Sequence, residues 1–139
     1  MNKQTDGSAK LTKNQKLVFN ELSASPIPLS AYALLDNLRS SGFRAPLQVY
    51  RALEKLIEFD LVHKLESRNA FVICQHPDCA RHNSVAFTIC NSCDTVNEIT
   101  DQKFINQLDA MASEVEFEVA KSTVELHGTC DLCRKSETI

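Results

Sequence analysis

Two Cys-x-x-Cys pairs, Cys90/Cys93 and Cys130/Cys133, stand 36 residues apart in a chain of 139. They restrict what the second half of the chain can fold into more than any other feature. A zinc ion held by four thiolates requires a tetrahedral shell with Zn–S near ~2.3 Å, and a tight Cys-x-x-Cys turn delivers two ligands at the right separation. The intervening segment has room for a strand, a helix and a strand, so a metal would clip the beginning of a small sheet to its end. The same four thiols could instead be buried side chains or a reversible dithiol switch. A disulfide framework is the weaker expectation. Residues 1–10 are polar and lack the apolar core of a signal peptide, which points to the reducing cytoplasm. No apolar run approaches the roughly 20 residues of a membrane-spanning helix.

The first half carries a different pattern. Leu11, Val18, Phe19 and Leu22 place one apolar stripe on a helix ended by Ser25-Pro26-Ile27-Pro28. Ser30 is a suitable N-cap for a second helix to about Ser40, with Ala31, Leu34, Leu35 and Leu38 inward and Gly42 as its stop. Pro46 opens a third. Its buried side is Val49, Leu53, Leu56 and Ile57; its other face holds Leu47, Gln48, Tyr50, Arg51 and Lys55. Two β-prone runs, 61–65 and 70–74, flank the turn residues 66–69 as a hairpin. Three helices followed by a hairpin make a winged helix-turn-helix, expected over residues 1–75.

Residues 76–83 are polar and irregular around Pro77, and read as a linker. Beyond them, 84–139 is expected to be a small α/β dimerisation domain with an antiparallel sheet. Its strands are expected at 85–89 and 95–99, its helix over 101–113 with Phe104, Ile105, Leu108 and Met111 inward, and a closing strand at 117–126. The fold class is thus α+β. The net charge of −3 looks unsuited to nucleic acid, but it is unevenly divided. Residues 1–68 carry +3 and residues 69–139 carry −6, so only the first module suits a phosphate backbone.

A looser constellation joins the halves: His63 on the first wing strand, Cys74 at the end of the second, His82 in the linker and Glu98 after a strand. One thiolate, two imidazoles and a carboxylate suit zinc; on spacing alone, each residue is more often a solvated side chain. His76 and Cys79 also lie in the linker and compete with His82 as ligands. Tyr50 and Arg51 occupy the outer face of the third helix, where a helix-turn-helix enters the major groove; helix spacing alone fits a solvated face equally well. Arg pairs with guanine and Tyr reaches a phosphate or a thymine methyl. Gln48 lies beside them, and Lys13, Lys16, Arg44, Lys55 and Arg68 are candidates for phosphate contacts.

The segments Leu29-Ser30-Ala31-Tyr32-Ala33-Leu34-Leu35-Asp36, Val49-Tyr50-Arg51-Ala52-Leu53, Val62-His63-Lys64-Leu65-Glu66-Ser67, Phe87-Thr88-Ile89-Cys90-Asn91-Ser92-Cys93 and Glu125-Leu126-His127-Gly128-Thr129-Cys130-Asp131-Leu132-Cys133 resemble the zinc uptake regulators of the ferric uptake regulator superfamily. The resemblance runs from Leu11 to Cys133. It implies a homodimer that binds a palindromic operator when zinc is present and represses zinc-uptake genes. It further implies two zinc ions per chain: a structural one at Cys90, Cys93, Cys130 and Cys133, and a regulatory one at His63, Cys74, His82 and Glu98. Tyr50 and Arg51 match the recognition-helix residues. Gln48 stands where the family typically has Thr, and the His-rich cluster of iron-sensing relatives is absent.

The competing readings are an iron, manganese or peroxide sensor of the same superfamily, and a zinc-ribbon interaction module. A thiolate at Cys74 disfavours manganese, which prefers oxygen ligands. An enzyme finds no support: there is no His-Glu-x-x-His, no deaminase signature and no glycine-rich phosphate loop among three glycines.

Overall fold

The computed structural model describes residues 11–75 and 84–137, which belong to two compact units meeting between Cys74 and Gln75. The linker expected at 76–83, with His76, Cys79 and His82, lies outside the described residues.

In the first unit, α1 (Lys13–Ala24) begins at Thr12. The Thr12 hydroxyl accepts the Gln15 N–H at 3.2 Å and the Gln15 side chain accepts the Thr12 N–H at 3.0 Å, a reciprocal pair that satisfies two orphan donors at the helix start. Helix α2 (Ala31–Leu38) is capped by Ser30, whose hydroxyl accepts the Ala33 N–H at 3.1 Å. A 3₁₀ turn, Arg39–Ser41, tightens its end, and Gly42 at φ +106° takes the left-handed conformation that β-carbon sterics deny most residues. The chain can then turn Phe43 into the core, where it is 2 % exposed.

Helix α3 (Pro46–Glu58) buries Val49, Ala52, Leu53 and Leu56. These pack with Val18, Leu22, Leu34, Leu35, Leu38 and Phe71 into one apolar cluster. Strands β1 (Val62–Leu65) and β2 (Ala70–Ile73) pair antiparallel with His63 opposite Val72. Asn69 at φ +48° makes the turn between them. Leu29 adds a short bridge to Phe71, so the wing is tied to the segment before α2. The three helices and the hairpin expected in this half are all present.

The second unit contains β3 (Ser84–Cys90), β4 (Val96–Ile99), α4 (Gln102–Glu114), β5 (Ser122–Gly128) and a short α5 (Asp131–Glu137). The sheet order is β4-β3-β5. The antiparallel sheet expected from sequence is in fact mixed. β4 is antiparallel to β3, but β5 runs parallel to it, with Ser84 opposite Ser122 and Cys90 opposite Gly128. Parallel neighbours need a connection of roughly a dozen residues or more; here β4 carries the chain back to the end where β3 begins, and the 22 residues that follow it, including α4, lead into β5 at that same end. The closing strand also starts later than expected, at Ser122 rather than Phe117.

The two units differ in how well they are filled. Among the described residues, sixteen buried apolar side chains lie in the first unit and five, Ala86, Phe87, Ile89, Cys90 and Val96, in the second. Helix α4 buries none of its residues, and Phe104, Met111, Val115, Phe117, Leu126 and Leu132 are 40–77 % exposed.

Candidate metal centres and nucleic-acid face

The parallel direction of β5 is what brings the four cysteines together. With Cys90 opposite Gly128, both Cys-x-x-Cys turns leave the sheet at the same end; an antiparallel β5 would have carried Cys130 to the other. Asp94 at φ +65° closes the first turn, where its N–H donates to the Cys90 carbonyl at 2.9 Å and the Cys90 N–H to the Thr95 carbonyl at 3.0 Å. The Asn91 N–H reaches across to the Gly128 carbonyl at 2.8 Å. Cys133 sits in the first turn of α5, an element the sequence reading did not identify.

The four sulfurs lie within 4.8 Å of one another, and Cys93 Sγ is 3.8 Å from Cys130 Sγ. A tetrahedron with metal–sulfur bonds of ~2.3 Å has edges of about 3.8 Å, so the donor set fits a thiophilic ion such as zinc. The surroundings favour the thiolate at Cys90 and Cys93. The Cys130 N–H donates to Cys90 Sγ at 3.3 Å, and this bond, followed by one from the Cys93 backbone, holds the Cys90 thiol down at about 6. The Thr95 hydroxyl, 3.0 Å from Cys93 Sγ, is the largest cause of a lowered Cys93. Cys133 is pushed up to about 12 by hydrogen bonding with the Cys130 and Cys90 thiols. The metal-free cluster therefore takes a negative charge readily at Cys90, whereas the Cys133 thiol, hydrogen-bonded to its neighbours, keeps its proton. Thr95 was missed in the sequence, where nothing distinguishes it from any turn threonine.

In the first unit, His63 and Cys74 lie diagonally on one face of the hairpin, because His63 is opposite Val72 and Cys74 is two residues further on. Their ligand atoms approach within 4.8 Å. The Cys74 N–H is fixed on the Leu61 carbonyl at 2.8 Å. Cys74 is disulfide-bonded in this structure, and only its reduced thiolate can take a metal. In the second unit, Glu98 is half-buried on β4 opposite Phe87, and its Oε1 accepts the Gln75 N–H at 2.9 Å. His82 lies outside the described residues.

The outer face of α3 presents Leu47, Tyr50 and Arg51 to solvent. Among the described residues no acidic side chain pairs with Arg51 or Arg44. Lys55 instead holds Glu58 at 3.2 Å, a surface pair of little energetic weight. Lys13 and Lys16 are exposed on the first turns of α1, and Arg68 is half-buried in the hairpin turn. Gln48 is also half-buried. Its side-chain oxygen turns back to accept the Arg44 N–H at 2.7 Å and the Ala45 N–H at 3.0 Å.

Residues 7–127 match the profile of the Ferric uptake regulator family. The zinc uptake regulation protein of Escherichia coli (strain K12) is 35 % identical over 131 residues, covering 94 % of this chain and 76 % of that protein. The crystal structure of holo XcZur superposes with a TM-score of 0.82 at 42 % identity, covering 90 % of this chain and 86 % of the other. A zinc uptake regulator complexed with zinc and DNA superposes with a TM-score of 0.85 at 33 % identity, covering 94 % and 87 %. The chain belongs to the ferric uptake regulator family, on its zinc uptake regulator branch.

Proposed function

We propose that this chain is a zinc-responsive, DNA-binding transcriptional repressor of zinc-uptake genes, acting in the cytoplasm as a homodimer on a palindromic operator. The observation that carries the reading is the pairing of His63 and Cys74 on the wing hairpin, which puts candidate metal ligands on the same small unit as the basic recognition face. The similarity to a regulator complexed with zinc and DNA supports it. So does membership of a family of regulators rather than enzymes. No helix among the described residues is long and apolar enough to cross a membrane.

In this reading residues 1–75 bind DNA, 76–83 link, and 84–139 dimerise. Cys90, Cys93, Cys130 and Cys133 hold a structural zinc that closes an under-filled unit. His63, Cys74, His82 and Glu98 hold a second, regulatory zinc. No reaction occurs on either metal. A regulatory ion whose ligands come from both units binds some arrangements of those units better than others, and by linkage it favours DNA binding to the same extent that DNA favours zinc. A coupling of about 1–3 kcal/mol changes operator affinity by roughly five- to 150-fold.

Tyr50 and Arg51 on α3 would face base edges, with Lys13, Lys16, Arg44 and Lys55 toward phosphates. A second copy would account for the apolar side chains left exposed on and around α4, together with the outer edge of β5, a strand that among the described residues ladders only with β3; such edges and patches are ordinarily covered. The test is operator binding by reduced protein at buffered free zinc, iron and manganese. Zinc alone should strengthen binding. A response to iron or manganese and not zinc would replace the assigned metal, and no binding with any metal would leave only an interaction module.

A further inference from the structure

Helix α3 starts without an ordinary cap. Its N-cap residue is Ala45, which has no side-chain acceptor, and Pro46 follows at the first helical position. Gln48 substitutes from inside the helix. Its single Oε1 accepts both the Arg44 N–H at 2.7 Å and the Ala45 N–H at 3.0 Å, which uses both lone pairs of that oxygen. Reading adenine from the major groove requires a glutamine to accept from N6 through Oε1 while donating to N7 through Nε2. Gln48 cannot do this without releasing the two amides. The same bonds fix the backbone at Arg44, two residues ahead of the helix, where a cation would meet the phosphates flanking the groove. The Arg44 side chain is exposed, and among the described residues it is in no ion pair.

We propose that Gln48 is a positioning residue that holds Arg44 for a phosphate contact at the mouth of the recognition helix, and does not itself read a base. This rests on α3 being the recognition helix. Each phosphate contact contributes about 0.9 to the slope of log affinity against log salt.

The experiment uses the full, zinc-loaded chain and a palindromic duplex selected from a randomised library. Salt titrations are made for R44A, Q48A, the double variant and Q48E, with R51A as the control on the recognition helix. R44A should lower the slope by about 0.9 per protomer and weaken binding severalfold on every sequence. Q48A should do the same, the double variant no more than either, and the base preferences of both should match the parent's. Q48E keeps the accepting oxygens and should keep the parent melting temperature, which Q48A lowers. Three results would overturn the proposal: Q48A lowering the melting temperature with the salt slope intact, Q48A losing a preference for adenine at one operator position, or R44A leaving the slope unchanged. R51A separates those failures from a failure of the underlying reading, because binding undisturbed by R51A removes α3 from the interface altogether.

Discussion

The two units of this chain solve the same problem with different means. The first closes its core with side chains: Phe43, Leu34, Leu53, Leu56 and Val49 are each no more than 2 % exposed, and α1, α2, α3 and the hairpin all contribute. The second has a three-stranded sheet, a helix with no buried residue, and apolar side chains such as Val115 at 74 % and Phe117 at 63 % exposure. Small domains short of apolar burial need a metal, a crosslink or a partner. The second unit has four convergent sulfurs for the first of these and an apolar surface for the last. A module held by metal and partner can have its structure set from outside, whereas one held by its own core keeps its shape and can carry a fixed DNA-reading face.

The largest expected effect tests that contrast directly. Structural zinc sites contribute on the order of 10–16 kcal/mol to folding in small metal-dependent domains, so Cys93→Ser should strip one metal per chain and abolish the dimer on size-exclusion chromatography. Amide signals of α1, α2, α3 and the hairpin should stay dispersed. Collapse of both sets together would break the comparison. Zinc loading should also release protons at neutral pH. Cys90, at about 6, is already ionised, but Cys133, at about 12, still holds its proton. Loading should therefore weaken as pH falls and more sulfurs become protonated, which calorimetry in two buffers of different ionisation enthalpy reads.

Next comes the side-chain core. Leu53 is 1 % exposed, and Leu53→Ala should cost about 2–5 kcal/mol of the first unit's stability, whatever the zinc concentration. Met111, 56 % exposed on α4, should cost the isolated protomer little when changed to Ala, yet weaken the dimer. Equal losses of stability at the two sites would remove the distinction between the units. Smaller again is the cap: Thr12→Ala removes a hydroxyl that accepts one amide and should cost about 1 kcal/mol in thermal unfolding, an effect confined to the first unit.

Much of this division was visible in the sequence, for physical reasons that differ by region. Helices α2 and α3 announce themselves because their apolar residues recur at helical spacing and Ser30, Gly42 and Pro46 mark their ends. The convergence of the four cysteines was legible because the spacing within each Cys-x-x-Cys is local. The direction of β5 was not, since strand orientation depends on the path of the crossover and leaves no trace in the alternation of side chains. For the same reason the sequence did not explain how Cys90 and Cys130 reach the same end of the sheet. The capping box at Thr12 and Gln15 carried a signal, Thr-x-x-Gln, that was overlooked. Gln48 was placed with Tyr50 and Arg51 on the outer face of the third helix; nothing in periodicity tells that it is half-buried and that its oxygen turns back onto Arg44 and Ala45.

The most direct test of the account compares Cys74→Ser with the parent protein under reducing conditions. Binding to a palindromic operator is followed across buffered free zinc, with metal content per chain read at each point. Two zinc ions per chain are expected in the parent, the second loading as operator affinity rises, while Cys74→Ser should keep one zinc and the dimer and lose the zinc response by tenfold or more. A Cys74→Ser protein that still tightens on its operator as zinc rises would contradict the assignment of the wing hairpin as the zinc-sensing element.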